Sequence, residues 1–310
     1  MTGPLFQRLT IVGCGLIGSS IARIVREKGI AAEIVVADLS DHVRERVTAL
    51  GLADRVTGDI GDGVTGADLV IFAVPVLAMG EAMAAAAGHL KSGAIITDVG
   101  SVKGSVAQAL SNHAPEGVFV IPGHPIAGTE YSGPDAGFAE LFDGRWTILT
   151  PLPSEDPAYA EAVARLSAFW RGIGAQVEVM DTQHHDLVLA ITSHLPHLIA
   201  YNIVGTAADL EGVTEGEVMK YSAGGFRDFT RIAASDPTMW RDIFVANKDA
   251  VLEVLGRFTE DLQALSRAIR WGEADKLHEL FTRTRAIRRG VIALGQESAE
   301  PNFGRDRGKH

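Results

Sequence analysis

The 310-residue chain contains a single cysteine, Cys14, which excludes any disulfide within it. A chain without disulfides suits a reducing compartment, so a cytoplasmic location is expected. Basic residues are outnumbered: 28 Lys and Arg stand against 39 Asp and Glu, a formal net charge of −11. An acidic surface repels nucleic-acid phosphates and anionic membranes, so neither is expected as a partner. The apolar run Ala82 to Ala87 is short, and no segment reads as a bilayer span. The N-terminus lacks the basic region, apolar stretch and cleavage site of a signal peptide. Internal repeats and low-complexity tracts are also missing. What is present forms a core: 46% of residues are hydrophobic and 22% charged, as in a soluble globular protein. The length suits about two domains.

The first half alternates short apolar runs with helical patterns. Leu9 to Gly13 reads as a strand, Leu16 to Lys28 as a helix and Ile34 to Asp38 as a second strand. Asp68 to Val74, Ala94 to Val99 and Gly117 to Pro122 supply three more, the first of them stopped by Pro75. Such runs predict a parallel sheet covered by helices on both faces. Arg145 to Thr150 and Gln176 to Met180 are expected to complete this domain. After Met180 the pattern is helical only. Asp236-Pro237 is a helix start, with Asp as N-cap and Pro at the first helical position. The helix it opens is expected to reach about Arg270, roughly 50 Å at the α-helical rise. Gly272 breaks it, and a second helix is expected from Glu273 to about Leu294. Two long helices with apolar stripes predict a helical interface between two copies of the chain. The expected architecture is therefore α/β: a doubly wound Rossmann-type dinucleotide-binding domain over residues 1–180, then an all-α dimerisation domain over 181–295. The polar residues 296–310 are expected to form a frayed tail.

Gly13, Gly15 and Gly18 form G-x-G-x-x-G directly after a strand and at the opening of a helix. The first glycine permits the tight turn, the second lets backbone approach a pyrophosphate, and the third lets helix pack on strand. Leu16 and Ile17 lie in the same loop, and Val74 and Pro75 end the third expected strand; all four are expected at the cofactor. Asp38 ends the second strand, 20 residues after Gly18, where a carboxylate binds the adenosine ribose hydroxyls. It would repel a ribose 2′-phosphate, and Leu39, Ser40 and Asp41 supply no arginine to receive one. NAD is therefore expected over NADP. Cys14 reads as a small packing residue in this loop.

Ligands of a doubly wound sheet bind outside the carboxyl ends of its strands. Chain order places Ser101, Lys103 and His124 on that edge. Ser101 has two readings, a substrate contact and an N-cap for the segment starting at Val102. His124 is a candidate acid or base, against a plain loop histidine bonded to backbone.

The segments GCGLIGSS, DVGSVK, GHPIAGTE, SHLPH and GGFRDFTRIAASDPTMWRDIF occur in this order. Together they resemble the prephenate and arogenate dehydrogenase family of tyrosine biosynthesis, over about residues 9–295. The resemblance implies oxidative decarboxylation of prephenate or arogenate, with hydride passing to NAD. His124 would then accept the proton of the ring hydroxyl, and Ser101, which also borders the cofactor, would bond that hydroxyl or orient the imidazole. Arg231 matches the family's substrate-carboxylate arginine, against an ion pair with Asp228. Arg227, four residues earlier, is a weaker anion contact or a solvated charge. His194 is implied in the substrate pocket, with His197 structural and Pro196 expected to kink the helix. Trp240 either closes the site or is a core tryptophan. Thr129, Glu130 and Gly224 could bear on the choice between an ammonium and a keto group. No metal is expected: His184, His185, His194 and His197 lack a convincing ligand spacing. Neither an appended mutase nor a regulatory domain is expected, so any tyrosine feedback would act at the active site. Two other readings stand beside this one: a different two-domain hydroxy-acid or imine reductase, and a non-catalytic NAD-binding sensor.

Overall fold

The computed structural model describes residues 3–129, 131–211 and 224–293. Contacts divide the chain into two compact units, one ending at Leu252 and the other beginning at Glu253.

The first unit opens with β1 (Phe6–Val12), α1 (Leu16–Lys28), β2 (Ala31–Ala37), α2 (Asp41–Ala49), β3 (Arg55–Thr57), α3 (Ile60–Val64) and β4 (Leu69–Phe72). There follow α4 (Met79–Ala87), β5 (Ile95–Asp98), α5 (Gly104–Ser111) and β6 (Phe119–Val120). These six strands form one sheet in the order β3-β2-β1-β4-β5-β6. Every pairing in it is parallel. That is the order of a doubly wound dinucleotide-binding sheet, with a switch point between β1 and β4. The physical reason is visible in β4, where Leu69, Val70, Ile71 and Phe72 are all buried. A strand apolar on both faces needs a helical layer on each. One layer packs Leu9, Ile11 and Ile71 with Ile21 and Phe169; the other packs Val70 and Phe72 with Met83 and Leu110.

The second sheet departs from expectation. β7 (Gly123–Pro125), β8 (Trp146–Leu149) and β9 (Gln176–Val179) form their own three-stranded sheet and do not extend the first. His124 is thus held within a short strand, paired with Ile148 in antiparallel register, instead of following a strand of the main sheet. The edge strand β3 has three partly buried residues, too few for an apolar run to reveal it. Between β8 and β9 runs α6 (Pro157–Gly172), capped by Asp156 with Pro157 in its first turn.

The helical part begins with α7 (Thr182–Leu189), capped by Asp181. A single π turn over Ala190–His194 leads into α8 (Leu195–Glu211). Pro196 lacks an N–H, and the helix accommodates it by widening in the preceding turn and then continuing. Thr182–Leu210 is long and apolar enough to cross a membrane, which corrects the expectation that no segment would be. α9 (Gly224–Thr230) and a 3₁₀ turn at Arg231–Ala234 precede α10 (Pro237–Ala246), capped by Asp236 as expected. The single helix expected to reach Arg270 is interrupted at Asn247, and α11 (Lys248–Arg270) starts anew. Gly272, at φ 65°, separates it from α12 (Ala274–Ala293). The expected tail, 296–310, lies outside the described residues.

Candidate active site

The glycine loop has the geometry its spacing predicts. Gly13 has a φ of +88°, and a Cβ there would lie 2.7 Å from the Ala73 carbonyl oxygen. A Cβ on Gly18 would lie 2.4 Å from the Gly13 carbonyl oxygen, so the helix could not start where it does. A Cβ on Gly15 would meet nothing within 4 Å, which leaves space beside the backbone for a ligand. Gly15 is also the N-cap of α1 and offers no side chain to its first turn, whose N–H groups are suited to an anion. Val74 and Pro75 continue the chain past β4, with Val74 Cγ1 beside Gly13. Leu16 and Ile17 are the first residues of α1 and pack on the core.

Asp38 follows β2 on the same edge. One of its oxygens accepts from the Cys14 N–H at 2.9 Å and the other from the Ser40 N–H at 2.9 Å. Cys14 is buried, and burial and Asp38 push its thiol up to about 12. It is a packing residue and not a nucleophile.

A buried polar network lies beyond β5. The Asp98 carboxylate forms an ion pair with Lys103, and both side chains are fully buried. Asp98 also accepts from the Gly100 N–H at 2.7 Å and the Gly123 N–H at 3.1 Å. Lys103 Nζ donates to the Gly123 carbonyl at 2.6 Å. Burial raises the Asp98 carboxyl and lowers the Lys103 ammonium, each opposed by the other's charge. Lys103 is therefore turned inward, where it fixes the strand carrying His124.

Ser101 is half-buried in the bend between β5 and α5. It does not cap a helix at Val102, because α5 starts at Gly104. The free N–H groups at that start are taken from elsewhere. Asp186 of α7 accepts from the Lys103 N–H at 2.7 Å and the Gly104 N–H at 2.8 Å.

His124 is 8% exposed. Its Nδ1 is 2.8 Å from His185 Nε2, and His185 Nδ1 is 2.8 Å from Asp186 Oδ1. Burial holds His124 well below the ordinary histidine value, and His185, Lys103 and His194 add to the effect. Burial also lowers His185, against the pull of Asp186. For Asp186, burial alone would raise the carboxyl, but hydrogen bonds from His185, Lys103 and Gly104 outweigh it and lower the carboxyl.

His194, at the end of the π turn, is fully buried. Its Nδ1 lies 3.1 Å from the Asn247 amide nitrogen, and its Nε2 has no hydrogen-bond partner. Burial pushes it down to about 4. His197 bonds the Ser193 carbonyl through Nδ1 at 2.8 Å and stacks on Trp240, ring centroids 3.7 Å apart. Trp240 is buried with Val102 and Ile243, one residue from Ser101 in sequence. Arg231 is exposed in the 3₁₀ turn, and its charge disfavours protonation of His197. Arg227 is exposed on α9, four residues before Arg231, and the 3₁₀ turn continues directly from that helix. Gly224 starts α9. Thr129 is exposed and accepts from the Tyr131 N–H at 3.2 Å. Glu130 lies outside the described residues.

The fold thus places Gly13, Gly15, Asp38 and Ser101 after β1, β2 and β5 of the main sheet and His124 within β7 of the second, with Trp240 packed on Val102, next to Ser101 in sequence. Sequence reasoning missed His185, Asp186 and Asn247 as members of this network. Their bonds to His124, Lys103 and His194 span 61, 83 and 53 residues, so no local spacing marks them. Among the described residues, no group of three or more His, Cys, Asp or Glu is placed to hold a metal ion.

The sequence models of two family domains match this chain: the prephenate dehydrogenase nucleotide-binding domain over residues 21–179 and the prephenate dehydrogenase dimerisation domain over residues 181–283. The chain belongs to the prephenate dehydrogenase family. A cyclohexadienyl dehydrogenase of Zymomonas mobilis is 46% identical over 92% of this chain and 96% of its own length. Prephenate dehydrogenase of Bacillus subtilis is 33% identical over 95% of this chain and 78% of its own. Among solved structures, prephenate dehydrogenase of A. aeolicus in complex with hydroxyphenyl propionate and NAD+ matches with a TM-score of 0.85. That match has 34% identity and covers 92% of this chain and 98% of the other. Membership of the family fits an oxidoreductase whose parallel sheet is followed by a helical domain, as described above.

Proposed function

We propose that this chain oxidises a cyclohexadienyl acid, prephenate, arogenate or both, with NAD as acceptor and with loss of carbon dioxide. The products would be 4-hydroxyphenylpyruvate and tyrosine respectively. The observation that carries the reading is a buried His124, held well below the ordinary histidine value, in a chain that also has a glycine loop and a carboxylate at the end of β2 and is 46% identical to a cyclohexadienyl dehydrogenase.

The residues present fit the dinucleotide. The open space at Gly15 and the uncapped start of α1 suit a pyrophosphate, and Asp38 suits ribose hydroxyls. When bound, NAD supplies the hydride acceptor. His124 holds an imidazole nitrogen for the ring hydroxyl and takes its proton as the carbon–oxygen bond gains double-bond character. Loss of carbon dioxide then makes the ring aromatic, and His124 returns the proton to the phenolic oxygen. No proton is released in the balance: with NAD+, the prephenate dianion becomes a monoanion and the arogenate monoanion a neutral zwitterion, each with carbon dioxide and NADH. Ser101 bonds the same hydroxyl. Arg231 clamps a substrate carboxylate, and a guanidinium can do so in bidentate fashion. Trp240 Nε1 is buried without a partner and is a donor available to the substrate. Leu16, Ile17, Val74 and Pro75 border the nucleotide, while Thr129, Glu130, Gly224 and Arg227 bear on the side-chain end of the substrate.

The assignment of residues 1–180 to nucleotide binding and 181–295 to substrate binding and dimerisation is part of this reading, as are a homodimer and a cytoplasmic location. Leu252, Leu262, Ile269, Phe281 and Ile287 are large apolar side chains exposed along α11 and α12. Ile203 and Leu210 are exposed on α8. Such surfaces suit burial against a second copy, which also accounts for the apolar character of Thr182–Leu210.

The test is absorbance of reduced nicotinamide with prephenate and arogenate, each run against NAD and NADP. Turnover with NAD and at least one acid is expected. No turnover in any pairing, from folded protein that binds NAD, would overturn the assignment.

A further inference from the structure

The mechanism requires His124 to present a bare nitrogen to the substrate, yet a neutral imidazole has two tautomers, and only one leaves a given nitrogen bare. The choice is decided behind the ring. Asp186 is ionised and accepts from three donors: the Lys103 and Gly104 N–H groups and His185 Nδ1. A carboxylate can only accept, so His185 carries its proton on Nδ1. His185 is neutral, so its Nε2 is a bare acceptor. His124 Nδ1, 2.8 Å away, must then be the donor. The remaining nitrogen of His124, Nε2, is left with its lone pair.

We infer that His185 and Asp186 are positioning residues that lock His124 in the Nδ1–H tautomer and stabilise it while it holds the hydroxyl proton. This rests on the dehydrogenase reading for the identity of that proton. The proton balance explains why the dyad can be closed. The reaction returns the proton to the product oxygen, so the chain behind His124 needs no exit to solvent. His185 is fully buried and Asp186 nearly so. Were His185 to take the other tautomer, its Nε2–H would face His124 Nδ1 and force the His124 proton onto Nε2, leaving no acceptor for the hydroxyl. Asp186 prevents this by accepting from Nδ1, and its own orientation is fixed by the start of α5, where a Cβ on Gly104 would already lie 3.0 Å from Asp186 Oδ2.

The experiment uses the full chain. Histidine tautomers are read by long-range nitrogen–proton NMR correlations on ¹⁵N-histidine protein, with His124→Asn identifying the signal. His124 is expected as Nδ1–H in the wild type. His185→Gln places an amide oxygen near the former Nε2 and should keep that tautomer and most of the turnover. His185→Leu removes the acceptor and should lose it. For His185→Leu we expect kcat to fall about 10- to 100-fold, with KM for substrate and for NAD within about twofold of wild type. An Nε2–H tautomer for His124 in the wild type would overturn the inference. So would wild-type kcat in His185→Leu, or equal losses in both variants with raised KM and lowered Tm, the signature of packing alone. If the wild type turns over neither acid, the dehydrogenase reading fails, and the NMR comparison still decides the tautomer by itself.

Discussion

The side-chain amide of Asn247 is bonded to His194. Its nitrogen lies 3.1 Å from His194 Nδ1 and 2.9 Å from the Asp186 carbonyl oxygen, and it donates to both. The residue that interrupts the α10–α11 helix thus places the His194 proton on Nε2. Asn247→Leu leaves the buried His194 Nδ1 unpaired and strips the Asp186 carbonyl of one donor, its bond from the Ala190 N–H remaining. We expect a loss of about 1–3 kcal/mol in stability by urea unfolding and a raised substrate KM. An unchanged midpoint would show that neither bond contributes.

Stability should fall on mild acidification. A histidine whose folded value lies below its unfolded one contributes fully above about pH 6.5, and the contribution is lost as pH falls through the folded value. For His194, held at about 4, the full effect is about 3 kcal/mol. His124 and His185 are lowered in the same direction. Asp186 acts in a lower window, losing its contribution below the ordinary carboxylate value. Urea midpoints measured across this range should decline, and His194→Gln should flatten the decline. A flat wild-type profile would mean that these rings are charged in the folded state.

Lys103→Met strips the partner from a fully buried Asp98. Breaking such a pair from one side costs about 3–5 kcal/mol, because an uncompensated charge stays inside. Adding Asp98→Asn should recover part of the loss. If the double variant is instead as unstable as the sum of the singles, the two residues act independently.

Asp38→Ala removes the acceptor that faces the Cys14 and Ser40 N–H groups. NAD binding should weaken about tenfold or more, as for loss of a charged hydrogen bond, while NADP binding changes less. Titration with both nucleotides checks this. An unaltered ratio would mean that the carboxylate does not meet the ribose.

His124→Asn should lower kcat about 10²- to 10⁴-fold with little change in NAD affinity, since it removes the base and not the cradle. Arg231→Gln should act chiefly on the substrate KM. Collapse of NAD binding in the first variant, or an unmoved KM in the second, would reassign the residue concerned.

The main sheet was legible because its strands are short apolar runs, fully buried in β4 and largely so in β1. Gly13, Gly18 and Gly272 could be read because a positive φ or a steric contact leaves no other choice. β7 was not legible: Gly-His-Pro carries no strand pattern and exists only because β8 pairs with it. The break at Asn247 was hidden because the apolar periodicity runs on across it, whereas the residue's role lies in tertiary bonds to α7 and the π turn. The positions of Gly13, Asp38 and Ser101 after β1, β2 and β5 were legible in the chain order. The support behind His124 was not, since the adjacent His185 and Asp186 reach His124 and Lys103 only across 61 and 83 residues of chain.

Asp186 serves two masters with one carboxylate. It closes the open start of α5 and holds the His185 ring. Fold and chemistry therefore share a single point of failure. A substitution that slackened the imidazole pair would unseat the helix, and one that reshaped the helix would misdirect the imidazoles.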